Sequence, residues 1–114
     1  MGYLRDNAII VSGYECDEFK ACHKRAQEIF GEEQVSPIMG PYVNLHCSFF
    51  VPPNGSKLGW QAATQGELDR EEYRTYLSFG YRHSWVEVQF NDDDMITKII
   101  ADSDNTEERK NDRL

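Results

Sequence analysis

His46 and Glu87 are the pair of side chains in this chain best suited to proton transfer. One is an imidazole able to serve as a base; the other is a carboxylate able to orient it. Tyr42 and Ser48 would supply a hydroxyl nearby. Both members of the pair sit in runs that alternate. In YVNLHCSFFV (42–51), Val43, Leu45, Cys47, Phe49 and Val51 share one face, and Tyr42, Asn44, His46, Ser48 and Phe50 share the other. In HSWVEVQF (83–90), Val86, Val88 and Phe90 fall on one face, and Trp85, Glu87 and Gln89 on the opposite one.

With the apolar sets turned inward, Tyr42, Asn44, His46, Phe50, Trp85, Glu87 and Gln89 are expected together on one open sheet surface. Large aromatics gathered on such a face mark a ligand or interface surface, for a second copy, another protein or a small ligand, or one that the N-terminal segment or the tail covers. No catalytic residue is assigned. In the topology expected below, the third and fourth strands flank the first, about 9–10 Å apart, which is too far for His46 to meet Glu87 directly.

Cys16, Cys22 and Cys47 form an odd, unpaired set that reads as reduced thiols, mostly small core residues. With His23 and His46 they lack the close pairs of a structural zinc site, and His46 and Cys47 must point to opposite faces. A Cys47–His46 catalytic pair fails for the same reason. Cys16 near a helix start has acidic neighbours, Glu15, Asp17 and Glu18, that oppose its thiolate. Asp92, Asp93 and Asp94 lack the alternating ligands, central glycine and final glutamate of a calcium loop, and read as a solvated turn. The segment FFVPPNGSKLGW (49–60) places a lysine after a turn, but Pro52 and Pro53 remove two of the N–H groups a phosphate loop needs. It reads as a strand leading into a helix, with Ser56 capping a helical turn. No metal or cofactor is expected.

The elements that must position these residues follow from periodicity. AIIV (8–11) is a short apolar run of the kind found in a central strand buried on both faces. In DEFKACHKRAQEIFG, Phe19, Cys22, Ala26, Ile29 and Phe30 make one helical stripe, with Asp17 and Glu18 suited to the dipole and Gly31 to the end. Pro37 and Pro41 restrict QVSPIMGPY to an edge or interrupted strand. Thr64 and Glu67 match a capping box that opens a helix running to about Phe79, with Tyr73, Tyr76 and Leu77 inward and Gly80 as its stop. A polar turn over 91–94 joins HSWVEVQF to a last strand, MITKIIA.

The order β-α-β-β-α-β-β predicts an α+β domain, an antiparallel sheet with two helices on one face, ferredoxin-like or a close variant. Residues 1–102 form the single domain, and 103–114 a flexible polar tail. At 114 residues there is room for one core.

Twelve Lys and Arg against 20 Asp and Glu leave a net charge of −8, which repels nucleic acid and anionic membranes at long range. No run approaches the roughly 20 apolar residues of a membrane helix, and the N-terminus does not read as a signal peptide. A cytoplasmic location is expected.

Ser48–Trp60 (SFFVPPNGSKLGW), the later WVEVQ (85–89) and the upstream AIIVS together resemble a group of small bacterial hypothetical proteins. These carry an SFF-PDGSKEGW segment and a WVEVQ strand. Asn54 stands here for their Asp and Leu58 for their Glu. The likeness covers roughly residues 8–101. It implies a self-contained domain of phage, integron-cassette or other mobile gene pools, and it carries over no activity.

Three functional readings remain: an interaction module without catalysis, self-associating as a homodimer through the open sheet face; a small-molecule binder or weak enzyme anchored by His46 and Glu87; and an acidic decoy or inhibitor of a basic protein.

Overall fold

The computed structural model describes residues 5–57, 59–79, 83–91 and 94–105. The first helix forms where the stripe predicts it. In α1 (Asp17–Phe30), Phe19, Cys22 and Ala26 are buried, and Asp17 and Glu18 occupy the first turn. Gly31 ends it at φ 94°, a region that favours glycine, with its N–H bonded to the Gln27 carbonyl.

Four strands make one antiparallel sheet: β1 (Arg5–Tyr14), β2 (His46–Val51), β3 (His83–Asn91) and β4 (Thr97–Asp102), in the order β2-β1-β3-β4. Residues 36–39 run beside β2 as the interrupted edge that the prolines predict. Ser36 N–H donates to the Phe50 carbonyl, and Met39 and Ser48 exchange two backbone hydrogen bonds. The molecule is thus a small α+β domain of the ferredoxin-like plan, with β4 added outside β3. No described helix is long and apolar enough to cross a membrane.

Helix α2 (Gln61–Leu77) follows the loop out of β2. In that loop Asn54 Oδ1 accepts hydrogen bonds from both the N–H and the hydroxyl of Ser56. Ser56 therefore closes a side-chain turn and does not cap a helix. The helix also begins earlier than the capping-box reading allows. Trp60 holds the N-cap position and Thr64 lies inside the helix, its N–H bonded to the Trp60 carbonyl. Gly80 lies outside the described residues.

One face of the sheet meets both helices. The core there comprises Ile9, Val11, Phe19, Cys22, Ala26, Val35, Cys47, Phe49, Val51, Tyr73, Leu77 and Trp85. Phe19 meets Phe49 edge to face, and Phe30 meets Tyr73 in the same way. Strand β1 is central in pairing, yet only one of its faces is covered; Ile10 on the other is 42% exposed. The last described residues, Ser103–Asn105, form a 3-10 turn, and the buried Ser103 hydroxyl accepts the Trp85 N–H. The rest of the expected tail, 106–114, lies outside the described residues.

Candidate functional site

Strand register decides which candidate residues meet. Ile9 pairs with Glu87 and Val11 with Trp85, and residues directly opposite share a face. Ile9 and Val11 point to the helices, so Trp85 and Glu87 do too, and Gln89 lies on the same face. The expected open-face position of Trp85, Glu87 and Gln89 is therefore corrected. Two gains drive the reversal: the indole of Trp85 fills core volume, and α2 brings arginines over Glu87.

Tyr42 and Asn44 are also displaced from the expected strand. Because Met39 already pairs with Ser48, the chain must reverse between them, and 43–45 form a tight 3-10 turn. Asn44 and Leu45 take φ of 58° and 59° there, and the Leu45 carbonyl accepts the Glu15 N–H. Tyr42, Val43, Asn44 and Leu45 are all exposed. Of the seven candidates, His46 and Phe50 alone lie on the open face. A His46–Glu87 pair is ruled out, since the two side chains project from opposite sides of the sheet with β1 between their strands.

Glu87 is instead the centre of a buried polar cluster. It is 1% exposed. Oε2 accepts from Asn7 Nδ2 at 2.5 Å, and Oε1 accepts from an Arg74 terminal nitrogen. Arg70 Nε lies 3.5 Å from Oε2. Gln89 Nε2 donates to Asn7 Oδ1 at 3.2 Å, holding the amide that serves the carboxylate. Arg70 and Arg74 are one helical turn apart, so both extend from the sheet-facing side of α2. Removing an ion from water costs several kcal/mol, and a buried carboxylate is tolerable only with such partners.

Ahead of Arg70 a groove of about 230 Å³ opens between the start of α2, the end of β2 and the end of α1. Phe30, Val51, Pro52 and Ala62 give it apolar walls, Asn54 and Gln65 add amides, and the Asp69 carboxylate, which accepts from Gln65 Nε2 at 2.9 Å, lines it as well.

On the uncovered face, Phe50, Ile10 and Val86 form one cross-strand row, and Ala8, Val88 and Ile99 form another. Ser48, Ser12 and Ser84 make a third, in which the hydroxyls of Ser12 and Ser48 are 2.6 Å apart. Tyr14 and His46 close one end, and Asp6 and Phe90 the other.

The structure also joins two residues that sequence reasoning left apart. Cys22 Sγ lies 3.7 Å from His83 Nδ1, Glu18 Oε1 is 4.0 Å from the same nitrogen, and His83 Nε2 meets the Leu77 carbonyl at 3.2 Å. The arrangement has the outline of a thiol–imidazole–carboxylate chain. Burial first, and then Glu18, pushes the Cys22 thiol up to about 12. A thiol so raised is a weak nucleophile, so the contact serves the core. His23 is likewise structural, bonded to the Ser36 carbonyl at 2.8 Å and set edge-on against Phe49. Among the described residues, no group of three or more His, Cys, Asp or Glu side chains is placed to hold a metal ion.

Fold and surfaces together define a small α+β domain with a covered, partly polar sheet face and an open apolar one. Comparison with protein-family models, curated proteins and solved structures finds no match.

Proposed function

We propose that this protein is a small cytoplasmic binding module that pairs with a second copy of itself through the open sheet face. One observation carries the reading. Ile10, Phe50, Val86, Val88, Phe90 and Ile99 form a contiguous apolar surface in which Ile10, Phe50 and Phe90 are 42%, 39% and 48% exposed. The charged side chains Asp6 and Asp102 stand at its margins.

The choice of occupant follows from charge and size. At −8 per copy, two molecules approach favourably only where the contact is uncharged, and the centre of this face, with Asp6, Asp102 and Asp104 kept to its rim, is such a place. Four strands about 4.8 Å apart and roughly 25 Å long present about 500 Å² per copy. Face to face this is about 1,000 Å², the lower range of specific interfaces, so a moderate, reversible dimer fits. Aligned packing of two sheets would interdigitate the apolar rows. The three cysteines are free thiols, which suits a reducing compartment. No chemistry of its own is assigned to the module.

Light scattering behind a sizing column tests the proposal. The expected mass is twice 13.2 kDa, strengthening as salt screens the repulsion between copies. Val86→Lys should return the monomer. A monomeric mass at every concentration up to about 1 mM would overturn the reading. Capture of a basic partner instead, weakening with salt, would favour the decoy reading.

A further inference from the structure

Arg70 is in an unusual position for a cation. Its side chain is 14% exposed, yet its guanidinium makes no hydrogen bond to any described residue. Its one ion pair among the described residues is the 3.5 Å approach of Nε to Glu87, whose two oxygens are already engaged by Asn7 and Arg74. Charged groups withdrawn from water normally have their donors filled. The groove described above lies directly against this guanidinium. Gly66 contributes to the opening: a Cβ there would come within 3.1 Å of both Arg70 Nη1 and Asn54 Nδ2. The glycine thus leaves room for the guanidinium and the amide at the groove wall.

We propose that this groove is a binding site for a small organic monocarboxylate, held by the N–H groups of Arg70 that no described residue fills, with its apolar body along Phe30, Val51, Pro52 and Ala62. Three features set the ligand class. The guanidinium fork matches a carboxylate in a two-point contact. The apolar walls favour an organic acid over a bare inorganic anion. Asp69 itself lines the groove and, with Glu67, acts electrostatically on Arg70, so the guanidinium has a place for one negative charge and a monoanion is preferred to phosphate. A groove of about 230 Å³ suits an acid of few carbons.

The test is a ¹H–¹⁵N NMR titration of the intact protein with acetate, butyrate and hexanoate, and with inorganic phosphate as a comparison. The Arg70 Nε–H resonance and the Ala62 and Gln65 amides should shift saturably. Affinity should rise roughly fourfold per methylene that becomes buried, and phosphate should bind more weakly than hexanoate. Arg70→Gln removes the fork. Ala62→Leu fills the groove from an exposed position while leaving the Arg70–Glu87 pair in place. Each should weaken hexanoate at least about tenfold, and if Arg70→Gln does not fold, Ala62→Leu decides alone. Non-saturating shifts with every acid, unchanged hexanoate affinity in Ala62→Leu, or a preference for phosphate would overturn the assignment. The site is independent of self-association, so neither result bears on the other.

Discussion

Strands β2 and β3 lie on either side of β1 and turn opposite kinds of side chain toward the helices. From β2 the helices receive Cys47, Phe49 and Val51, an apolar set packed at negligible exposure. From β3 they receive His83, Trp85, Glu87 and Asn91, and the apolar residues Val86, Val88 and Phe90 go to the open face. The difference lies in what each strand meets. Beneath β2 is the apolar stripe of α1, where any unpaired polar group would be costly. Glu87 of β3 meets α2, whose Arg70 and Arg74 arrive with the charges that make a buried carboxylate tolerable. A strand can therefore place its polar set inward when a neighbouring helix supplies partners, and its apolar set is then left for an outer surface.

The sharpest way to break this contrast lies within β2. Phe49 is fully buried and Phe50 is its outward neighbour, so Phe49→Ala should cost about 3–5 kcal/mol and Phe50→Ala less than about 1 in the dilute monomer. Urea midpoints would show it, and equal costs would mean that the two faces are not distinct. On β3 the corresponding change is Glu87→Gln, expected to cost about 3 kcal/mol because Arg74 and Arg70 lose their counter-charge in a buried setting. Combining Glu87→Met with Arg74→Met should recover part of that loss; a double variant weaker than the sum of its single changes would contradict the cluster's coupling.

Val86→Lys, on the open face of the same strand, should change monomer stability by under about 1 kcal/mol while abolishing the proposed self-association, read as mass against concentration. The smallest effect is chemical. Native protein treated with iodoacetamide at pH 8 should be alkylated at the partly exposed Cys16, with Cys22 and Cys47 protected until urea is added, as peptide masses would reveal. For Cys22 the sign is clear. The fold raises its thiol from 9.0 to about 12 and so favours the neutral form. That stabilisation is complete below about pH 9 and is lost as pH climbs toward 12. Alkylation of Cys22 as fast as Cys16 would show that the α1–β3 contact opens readily.

Much of this was legible residue by residue. The stripe of α1 was plain because a three-to-four spacing of Phe19, Cys22 and Ala26 has few other uses. The prolines around Met39 announced an interrupted edge, and the alternation of β2 named its inner set correctly from Cys47 onward. Tyr42 to Leu45 continued the same alternation and still formed a turn, because the pairing of Met39 with Ser48 requires a reversal there. The Thr64 capping box was present in the residues and unused, since the helix had already started at Gln61. Within the candidate site, His46 and Phe50 were found on the predicted face. Glu87, Trp85 and Gln89 were correctly grouped and wrongly oriented. For Arg70 and Arg74 the signal available in the residues is two arginines four apart on a helix otherwise poor in apolar residues, and their partner Glu87 lies too far along the chain for that spacing to name it.

Taken alone, the amino-acid order determined the kinds of elements, their succession and the division of β2 and β3 into two sets, since period two and period 3.6 are properties of local backbone geometry. Only the tertiary structure decided which set of β3 faces inward. That choice depends on the register of Glu87 opposite Ile9 and on arginines carried by a different element. Alternation is symmetric between the two faces of a strand, and contacts distant in sequence break that symmetry.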